Sequence, residues 1–392
     1  MRIWNAQVVT RERVLPGGGV DVVDGRIARV LESCDSGDID LEGCYLLPGL
    51  IDIHTHPTRE DGVDPARLAA LCDEVRSQGT AGFLFAPANA PVAETLDRLH
   101  ALSASLDAIG PDRGCLGIHL EGPYVAPAAR GGFEPEAITD PEAFPLAPLL
   151  EACGGWARYL NISPEIPGGI EAIRECRRRG LRVSMGHSAA ERDTLLAALD
   201  AGVCTVCHTF NTGSIMRYKE PGVLDVTVDL MGLASDRLVC ELICDGTHVD
   251  PVLVRLLYRA KGADGIALIT DSILGGRIAE EGTAIDTGLV RFHIADGVGR
   301  NEAGGLVGST LTMARAACNF MAFAGCGPVD AARAAALTPA RVLGVDDDYG
   351  SVEAGRRALF CVLDCSYQPR ADLGRRLNGV GGTGGEGGSH GF

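Results

Sequence analysis

Lysine, tryptophan and long apolar runs are scarce in this chain of 392 residues. Lysine occurs only at Lys219 and Lys261, and only two residues are tryptophan. No segment approaches the roughly 20 apolar residues that a membrane-spanning helix needs, so we expect no membrane partner. Positive charge is also scarce, with 35 Lys and Arg against 52 Asp and Glu and a net charge of −17. This imbalance argues against a nucleic-acid partner, because such proteins present basic surfaces.

The first residues lack the apolar segment of a secretory signal peptide. The 14 cysteines are scattered without a framework, as is typical of buried thiols in a reducing compartment. We therefore expect a cytoplasmic protein. Its hydrophobic fraction of 46% can fill the core of one large domain and a smaller one.

Eight short apolar runs predict β-strands, at residues 46–56, 82–87, 115–121, 159–163, 182–187, 205–211, 238–244 and 266–271. Segments with a helical pattern lie between them, including 65–77, 93–108, 169–179, 190–201 and 251–261. Strands that alternate with helices form parallel βα units. Eight such units predict an α/β fold of the (β/α)8 TIM-barrel type. An open doubly wound sheet is the competing architecture.

The two ends of the chain carry a different pattern. Near the N-terminus, alternating runs flank Asp24 and Gly25, a pair typical of a β-hairpin turn, and residues 350–364 look similar. The predicted units are a small β-sandwich domain from both termini, a barrel and a tail: residues 1–46 with 347–368, residues 47–346, and residues 369–392. Because the tail is rich in glycine, we expect it to be disordered.

The most informative motif is the His-x-His pair that ends the first predicted strand. Alternate side chains of a strand share a face, so His54 and His56 project side by side, as a divalent metal requires. An isolated His-x-His pair more often lies on the surface or in the core of a protein than at a metal ion. Here, however, six of the nine histidines lie at or just beyond strand ends: His54, His56, His119, His187, His208 and His248. In a barrel, those ends form the active-site face.

Two carboxylates accompany these histidines. Glu121 shares a strand face with His119, and a carboxylate buried there needs a partner, either a metal or an Arg or backbone amides. Asp271 ends the eighth predicted strand, where it is placed to accept a proton from water at a metal. Its alternative role is to cap the next helix, which Ser272 would do equally well.

Together these motifs resemble the amidohydrolase superfamily and, more narrowly, its N-acetylglucosamine-6-phosphate deacetylase family. The matching segments, in order, are residues 48–56, 119–123, 186–188, 208–211, 220–222, 245–248, 270–271, 307–309, 338–341 and 343–344. His-Leu-Glu-Gly-Pro at 119–123 and Asp-Gly-x-His-Val at 245–249 are specific to this family.

The resemblance implies metal-dependent hydrolysis of an N-acetyl amide. It implies that Glu121, His187 and His208 hold a principal metal and that His54 and His56 support a second. One or two divalent ions are expected, with zinc favoured and Fe, Mn, Co or Ni also compatible with these ligands.

In the implied mechanism, Asp271 takes a proton from the attacking water and returns it to the departing amine, while His248 helps to polarise the carbonyl. The implied substrate-binding residues are Asn211, Thr212, Arg217, Lys219 and His248. The resemblance also implies a homodimer in which the loop carrying Arg217 and Lys219 reaches toward the neighbouring site.

Two segments depart from the family pattern. Phe133 stands where the family usually has a histidine. Residues 217–219 read Arg-Tyr-Lys where the family has His-His-Arg. Lys219 therefore takes the place of the family's arginine and lacks its bidentate guanidinium. These changes leave open a deacylase of a different N-acyl small molecule. A deaminase or cyclic-amide hydrolase is disfavoured by the family-specific motif at 119–123. A non-catalytic scaffold is disfavoured because no ligand is missing.

Overall fold

The computed structural model describes residues 1–88, 90–211, 216–278, 280–286, 291–301 and 306–379. The strands, in chain order, are β1 (Arg2–Val9), β2 (Val14–Val23), β3 (Arg26–Leu31), β4 (Ile39–Asp40), β5 (Tyr45–Pro48), β6 (Leu50–Thr55), β7 (Thr80–Phe85), β8 (Cys115–Leu120), β9 (Ala157–Asn161), β10 (Arg182–Met185), β11 (Thr205–Val206), β12 (Arg217–Glu220), β13 (Val223–Asp225), β14 (Val239–Ile243), β15 (Ile266–Ile269), β16 (Ala284–Asp286), β17 (Arg291–Ala295), β18 (Val298–Asn301), β19 (Leu306–Ser309) and β20 (Phe360–Leu363).

The α-helices are α1 (Arg59–Val63), α2 (Pro65–Ser77), α3 (Val92–Ile109), α4 (Leu146–Ala152), α5 (Gly169–Arg178), α6 (Arg192–Ala201), α7 (Val228–Ala234), α8 (Pro251–Lys261), α9 (Met313–Ala324), α10 (Pro328–Ala332), α11 (Thr338–Leu343) and α12 (Ala371–Leu377). A π-helix, Arg333–Leu337, joins α10 to α11. Within the described ranges, none of these helices is long and apolar enough to cross a membrane.

Eight parallel strands form the central sheet, in the order β6, β7, β8, β9, β10, β11, β14, β15. The two outer strands of this order meet just beyond their ends. The backbone N–H of Asp271 donates to the carbonyl of His54, and that of His56 donates to the carbonyl of Ser272, both at 2.8 Å. The sheet therefore closes into a (β/α)8 barrel, which confirms the predicted fold over the open doubly wound sheet.

A buried carboxylate reinforces this closure. All residues of β6, β7 and β15 are buried, as expected for parallel strands with covered faces. Asp52 on β6 accepts hydrogen bonds from the Thr270 backbone N–H at 3.2 Å and the Thr270 hydroxyl at 2.5 Å. Burial raises the pKa of Asp52 to about 6, although these hydrogen bonds oppose the shift. The bonds tie the first barrel strand to the residue that follows the last.

Both termini contribute to a separate sheet. Its strands follow the order β20, β5, β1, β2, β3, with β4 also paired to β1. Asp24 and Gly25 form the predicted hairpin turn between β2 and β3, each with positive φ. The apolar side chains of the sheet form their own core, in which Ile3, Val20 and Phe360 are fully buried.

Two predicted strands differ from the observed ones. The single strand predicted at 46–56 is in fact two, β5 in the terminal sheet and β6 in the barrel. Gly49 joins them, and a Cβ at that position would lie 2.4 Å from the Cβ of Ala81, so the crossing requires glycine. The strand predicted at 205–211 ends early, with β11, because the chain turns at His208 and Phe210, which both have positive φ.

The prediction of a disordered tail over 369–392 is wrong for residues 371–377, which form α12. Leu373 and Leu377 are buried in the core of the terminal sheet, and this burial explains why the segment is helical. The glycine-rich residues 380–392 lie outside the described part of the chain.

A four-stranded antiparallel sheet, β16 to β19, was not predicted. Asp296 and Gly297 link β17 to β18, and both have positive φ. This Asp-Gly pair between two runs is the same hairpin signal that identified the turn near the N-terminus. The side chains of Phe292 and Ile294 pack on Ile273, just after β15, so the sheet lies beside the end of the barrel's last strand.

Candidate metal centre

Glu121 is the centre of a cluster of side chains at the carboxyl ends of the barrel strands. His187 Nε2 and His208 Nε2 each lie 3.2 Å from Glu121 Oε1, and the two nitrogens are 3.1 Å apart. Glu121 follows β8, His187 follows β10 and His208 follows β11. The predicted ligands of the principal metal are therefore brought together from three strands.

The His-x-His pair lies beside the same carboxylate. His54 Nε2 and His56 Nε2 are 3.2 Å apart, and they lie 3.6 Å and 3.5 Å from the two oxygens of Glu121. Asp271 Oδ1 is 3.1 Å from His56 Nε2 and 3.7 Å from His54 Nε2. Asp271 thus contacts the two predicted ligands of the second metal.

This donor set fits divalent metal ions. Two nitrogens bound at about 2.0–2.1 Å to a tetrahedral zinc ion lie roughly 3.3 Å apart, close to the observed 3.1 Å and 3.2 Å between Nε2 atoms. Imidazole nitrogens and carboxylate oxygens suit several transition metals. Four lone pairs directed toward one another without a cation would repel, so the arrangement favours bound metal.

The carboxylates of the cluster are held in their charged form. Burial raises the pKa of Glu121, but the close contacts with the imidazoles of His187, His208 and His54 outweigh it and hold that pKa well below its usual range. For Asp271, burial is likewise outweighed by the neighbouring His54 and His56, and its pKa is lowered. Both carboxylates are therefore negatively charged, which is the form that attracts a cation.

The strand ends turn sharply to present these side chains. His187, His208 and Asp271 have φ values of 49°, 22° and 48°, a region that costs non-glycine residues about 1–3 kcal/mol each. Gly186 makes the turn before His187 possible, since a Cβ there would lie 2.5 Å from the Cβ of Cys207. Strain of this kind at three strand ends on one face of the barrel indicates a functional site.

The Nδ1 atoms of three histidines have partners behind the cluster. His56 Nδ1 donates to the Ala86 carbonyl and His187 Nδ1 to the Ala129 carbonyl, both at 3.1 Å. His54 Nδ1 instead lies 3.2 Å from Glu241 Oε2. Such bonds fix the tautomer that leaves Nε2 free to bind a metal.

Sequence reasoning missed Glu241. It lies on β14 and is fully buried, inside the apolar run predicted as a strand at 238–244. A charged residue facing the barrel interior requires a partner, and this requirement was the available signal. The hydroxyl of Tyr159 also donates to Glu241.

His119 lies beneath the cluster. It is fully buried, and burial lowers its pKa well below its ordinary value, so the ring is neutral. Its ring packs edge-on against His54 at 4.4 Å and Tyr159 at 4.6 Å between centroids. The structure thus places His119 in packing contact with a predicted ligand.

His248 is oriented by a carboxylate that sequence reasoning quoted within a motif but gave no role. Asp245 Oδ2 lies 2.6 Å from His248 Nδ1, and Asp245 Oδ1 accepts the backbone N–H groups of Thr247 and His248 at 2.8 Å. Burial raises the pKa of Asp245, but the hydrogen bond from His248 outweighs it, so the pKa is lowered. The bond to Nδ1 leaves Nε2 of His248 for another contact.

The predicted substrate-binding cations lie on the β12–β13 hairpin. Arg217 pairs with Asp225 at 2.8 Å and also donates to the carbonyls of Ala189, Ala190 and Val226. These contacts favour a structural role for its guanidinium. Lys219 Nζ lies 3.4 Å from Asp225 Oδ1 with its side chain half exposed.

Asn211 sits in the turn after β11, where its backbone N–H donates to the His208 carbonyl at 3.0 Å. Thr212, also predicted to bind substrate, lies outside the described residues. Phe133 is buried and packs edge-on against His187, with 4.8 Å between ring centroids. The residue that departs from the family pattern therefore contacts a predicted metal ligand.

Comparison with known proteins agrees with this geometry. The chain is 32% identical to the N-acetylgalactosamine-6-phosphate deacetylase of Escherichia coli O157:H7, over 91% of this chain and 93% of that protein. It is 29% identical to the N-acetylglucosamine-6-phosphate deacetylase of Bacillus subtilis (strain 168), over 93% of each.

Solved structures show the same likeness. The N-acetylglucosamine-6-phosphate deacetylase of Thermotoga maritima superimposes with a TM-score of 0.81 at 27% identity, over 94% of this chain and 96% of that one. A variant of the Mycobacterium smegmatis enzyme in complex with N-acetyl-D-glucosamine-6-phosphate gives 0.83 at 26% identity, over 94% and 96%. The model of the amidohydrolase family matches residues 45–379. The chain therefore belongs to the amidohydrolase family.

Proposed function

We propose that this protein is a metal-dependent deacetylase of N-acetyl amino-sugar 6-phosphates. The observation that carries the proposal is the convergence of four Nε2 atoms on Glu121, with Asp271 beside two of them. Relatives that span more than nine tenths of the chain bear deacetylase names, which supports an N-acetyl amide as the bond that is cleaved.

Glu121, His187 and His208 would hold one divalent metal, and His54 and His56 a second. Zinc is our first choice for both. When bound, such an ion polarises a carbonyl and makes water a stronger nucleophile near neutral pH.

Asp271 is the residue that moves the proton in this proposal. Its charged carboxylate, 3.1 Å from His56 Nε2, accepts a proton from the attacking water and delivers it to the amine that departs. His248 carries a proton on both ring nitrogens in this step: Nδ1–H donates to Asp245, which keeps the ring oriented, and Nε2–H donates to the amide oxygen. Acetate and the amino-sugar 6-phosphate, with its free amine, are the products.

Lys219 is the cation that we assign to the substrate phosphate. The ion pair of Arg217 with Asp225 shapes the hairpin, while the ammonium of Lys219 remains half exposed. The side chain of Asn211, after β11, is a further candidate contact to the sugar.

The hairpin is also where we place a dimer contact. Tyr218 and Leu224 are 55% and 51% exposed, and apolar side chains at such a tip favour contact with a second copy of the chain.

All 14 cysteines lie in the described ranges, and each is a free thiol. Free thiols support a reducing compartment, and we propose the cytoplasm.

The relatives differ in the sugar epimer for which they are named. One relative is named for N-acetylgalactosamine-6-phosphate and another for N-acetylglucosamine-6-phosphate. Because Phe133 replaces a polar residue of the second family, the galactosamine epimer is the second candidate substrate.

Acetate release from four compounds tests the proposal: the two N-acetylhexosamine 6-phosphates and the two unphosphorylated sugars, each with zinc-loaded protein. We expect turnover of at least one phosphate ester and a strong preference for it over its free sugar. Turnover of none of the four by metal-loaded protein would overturn the proposal and favour a different N-acyl compound.

A further inference from the structure

We infer that Glu241 is a positioning residue which enables the His54–His56 side of the centre to retain its own metal ion, so that the enzyme works with two ions. The inference rests on the proposed metal-dependent function, but it concerns how many ions are held and by what means. Glu241 contacts His54 at Nδ1, on the side of the ring opposite the Nε2 atom that would bind the metal. It therefore acts through the imidazole of His54.

The geometry of this contact is specific. Glu241 Oε2 lies 3.2 Å from His54 Nδ1, and both side chains are fully buried. His54 Nε2, on the other side of the ring, faces His56 Nε2 and Glu121 Oε1 at 3.2 Å and 3.6 Å. With Nδ1–H donated to the carboxylate, the lone pair of Nε2 is directed into the cluster.

Glu241 is itself fixed. The Tyr159 hydroxyl contacts both Glu241 and Thr205. Tyr159 lies on β9, Thr205 on β11 and Glu241 on β14. Tyr159 and Thr205 are fully buried as well. A carboxylate locked by strands on several sides of the barrel holds the His54 ring at a set angle, with little freedom left to lose on metal binding.

His54 differs from the other two histidines in the charge of its partner. His56 and His187 donate Nδ1–H to neutral carbonyls, whereas His54 faces a carboxylate. A carboxylate behind a ligating imidazole makes it a stronger base and a better ligand. This partner lies on the side of the cluster that belongs to the second predicted ion.

Net charge points the same way. With Glu121 and Asp271 as the only carboxylates, a second dication would change the centre from neutral to a charge of two. With Glu241 included, the same step runs from one negative to one positive charge. Isolated buried charge is costly, so Glu241 lowers the cost of the second ion.

Cys207 is the competing explanation for this corner of the barrel. Its Sγ lies 3.7 Å from His54 Nδ1, and His54, Cys207 and Glu241 are close enough together to share an ion on the Nδ1 side. Glu241 is already engaged with Tyr159 and His54, which favours the positioning role. A Cys207→Ser variant separates the two explanations and serves as a matched control.

The experiment counts metal rather than turnover. Purified wild type, Glu241→Gln and Cys207→Ser are loaded with zinc and dialysed against graded concentrations of a competing chelator, and zinc per chain is measured by mass spectrometry. Manganese-loaded samples are examined by electron paramagnetic resonance for the spin-coupled signal of an ion pair. No substrate is involved, so the result is independent of whether the proposed substrate is correct.

We expect two ions in the wild type and in Cys207→Ser. In Glu241→Gln, one ion should bind about 10–100-fold more weakly, the other should be retained, and the spin-coupled signal should be lost. Tyr159→Phe, which removes only the hydroxyl that contacts Glu241 and Thr205, should weaken the same ion by a smaller factor and supplies the test if Glu241→Gln does not fold.

Three results would overturn the inference. The first is a wild type that holds a single ion. The second is unchanged affinity for both ions in Glu241→Gln or, if that variant does not fold, in Tyr159→Phe. The third is a loss of metal affinity in Cys207→Ser as large as that in Glu241→Gln. The last result would assign the corner to a Cys207-containing metal site.

Discussion

The metal-ligand cluster and the β12–β13 hairpin differ in how their side chains are held. In the cluster, the predicted ligands come from the ends of four barrel strands and all but His56 are buried. His54, His56 and His187 are each held from behind by a carbonyl or a carboxylate. On the hairpin, Lys219 is half exposed, and its Nζ lies 3.4 Å from the carboxylate of Asp225.

The comparison shows where this family member has room to change. A substitution in the cluster leaves a buried polar group without its hydrogen-bond partner, which is costly. The cluster accordingly matches the family pattern. The exposed Lys219 on the hairpin can be substituted at little structural cost, and there the sequence departs from that pattern, as it also does at the buried Phe133. We therefore expect the chemistry to depend on the barrel cluster and substrate selection to depend on the loops.

Replacement of Asp271 by Asn should have the largest effect on turnover while leaving metal bound. Asparagine has a similar shape but does not accept a proton, so we expect a loss of about 10²–10⁴-fold in kcat. Zinc content measured on the same sample is the control. Activity within tenfold of wild type would show that Asp271 is not the proton carrier.

His208→Asn should lose metal as well as activity. The substitution removes a nitrogen that lies 3.2 Å from Glu121 Oε1, and we expect at least about 100-fold weaker binding of one ion, more than a change behind a ligand would cause. Zinc affinity is measured by chelator competition beside Asp271→Asn. Similar metal content in the two variants would contradict the division between ligand and proton carrier.

On the hairpin, Lys219→Ala should raise KM for a sugar phosphate roughly ten- to hundredfold with little change in kcat, as expected when a charged hydrogen bond of about 1.5–3 kcal/mol is lost. The matched control is Lys261→Ala, the other lysine of the chain, which lies at the end of α8. Equal KM values in all three proteins would remove Lys219 from the phosphate site.

Phe133→His should have the smallest effect, a change of about tenfold or less in the ratio of kcat/KM between the two N-acetylhexosamine phosphates. Histidine restores a polar group at the position that the family uses, and one hydrogen bond contributes about 1 kcal/mol. Phe133→Leu keeps the position apolar and is the control. The same ratio in both variants would exclude position 133 from epimer selection.

The sequence was sufficient to predict the barrel and the convergence of the candidate ligands, because both follow from local patterns. Alternation on a strand places His54 beside His56, and the rule that barrel strands end on one face brings Glu121 and Asp271 to them. The roles of these residues remain predictions until metal and turnover are measured.

Other features depend on contacts between residues distant in the chain and were not predictable in this way. Glu241 meets His54 across 187 positions, and no local pattern links them. The break at Gly49 depends on the approach of Ala81. The helix α12 forms because Leu373 and Leu377 find a core supplied largely by the other end of the chain.

The measurement that tests the central claim most directly is a zinc titration of metal-stripped protein, with acetate release from the two N-acetylhexosamine 6-phosphates as the readout. We predict no turnover without metal and a rise that saturates at two zinc ions per chain. Turnover by the stripped protein, or no acetate from either ester at saturating zinc, would contradict a metal-dependent deacetylase.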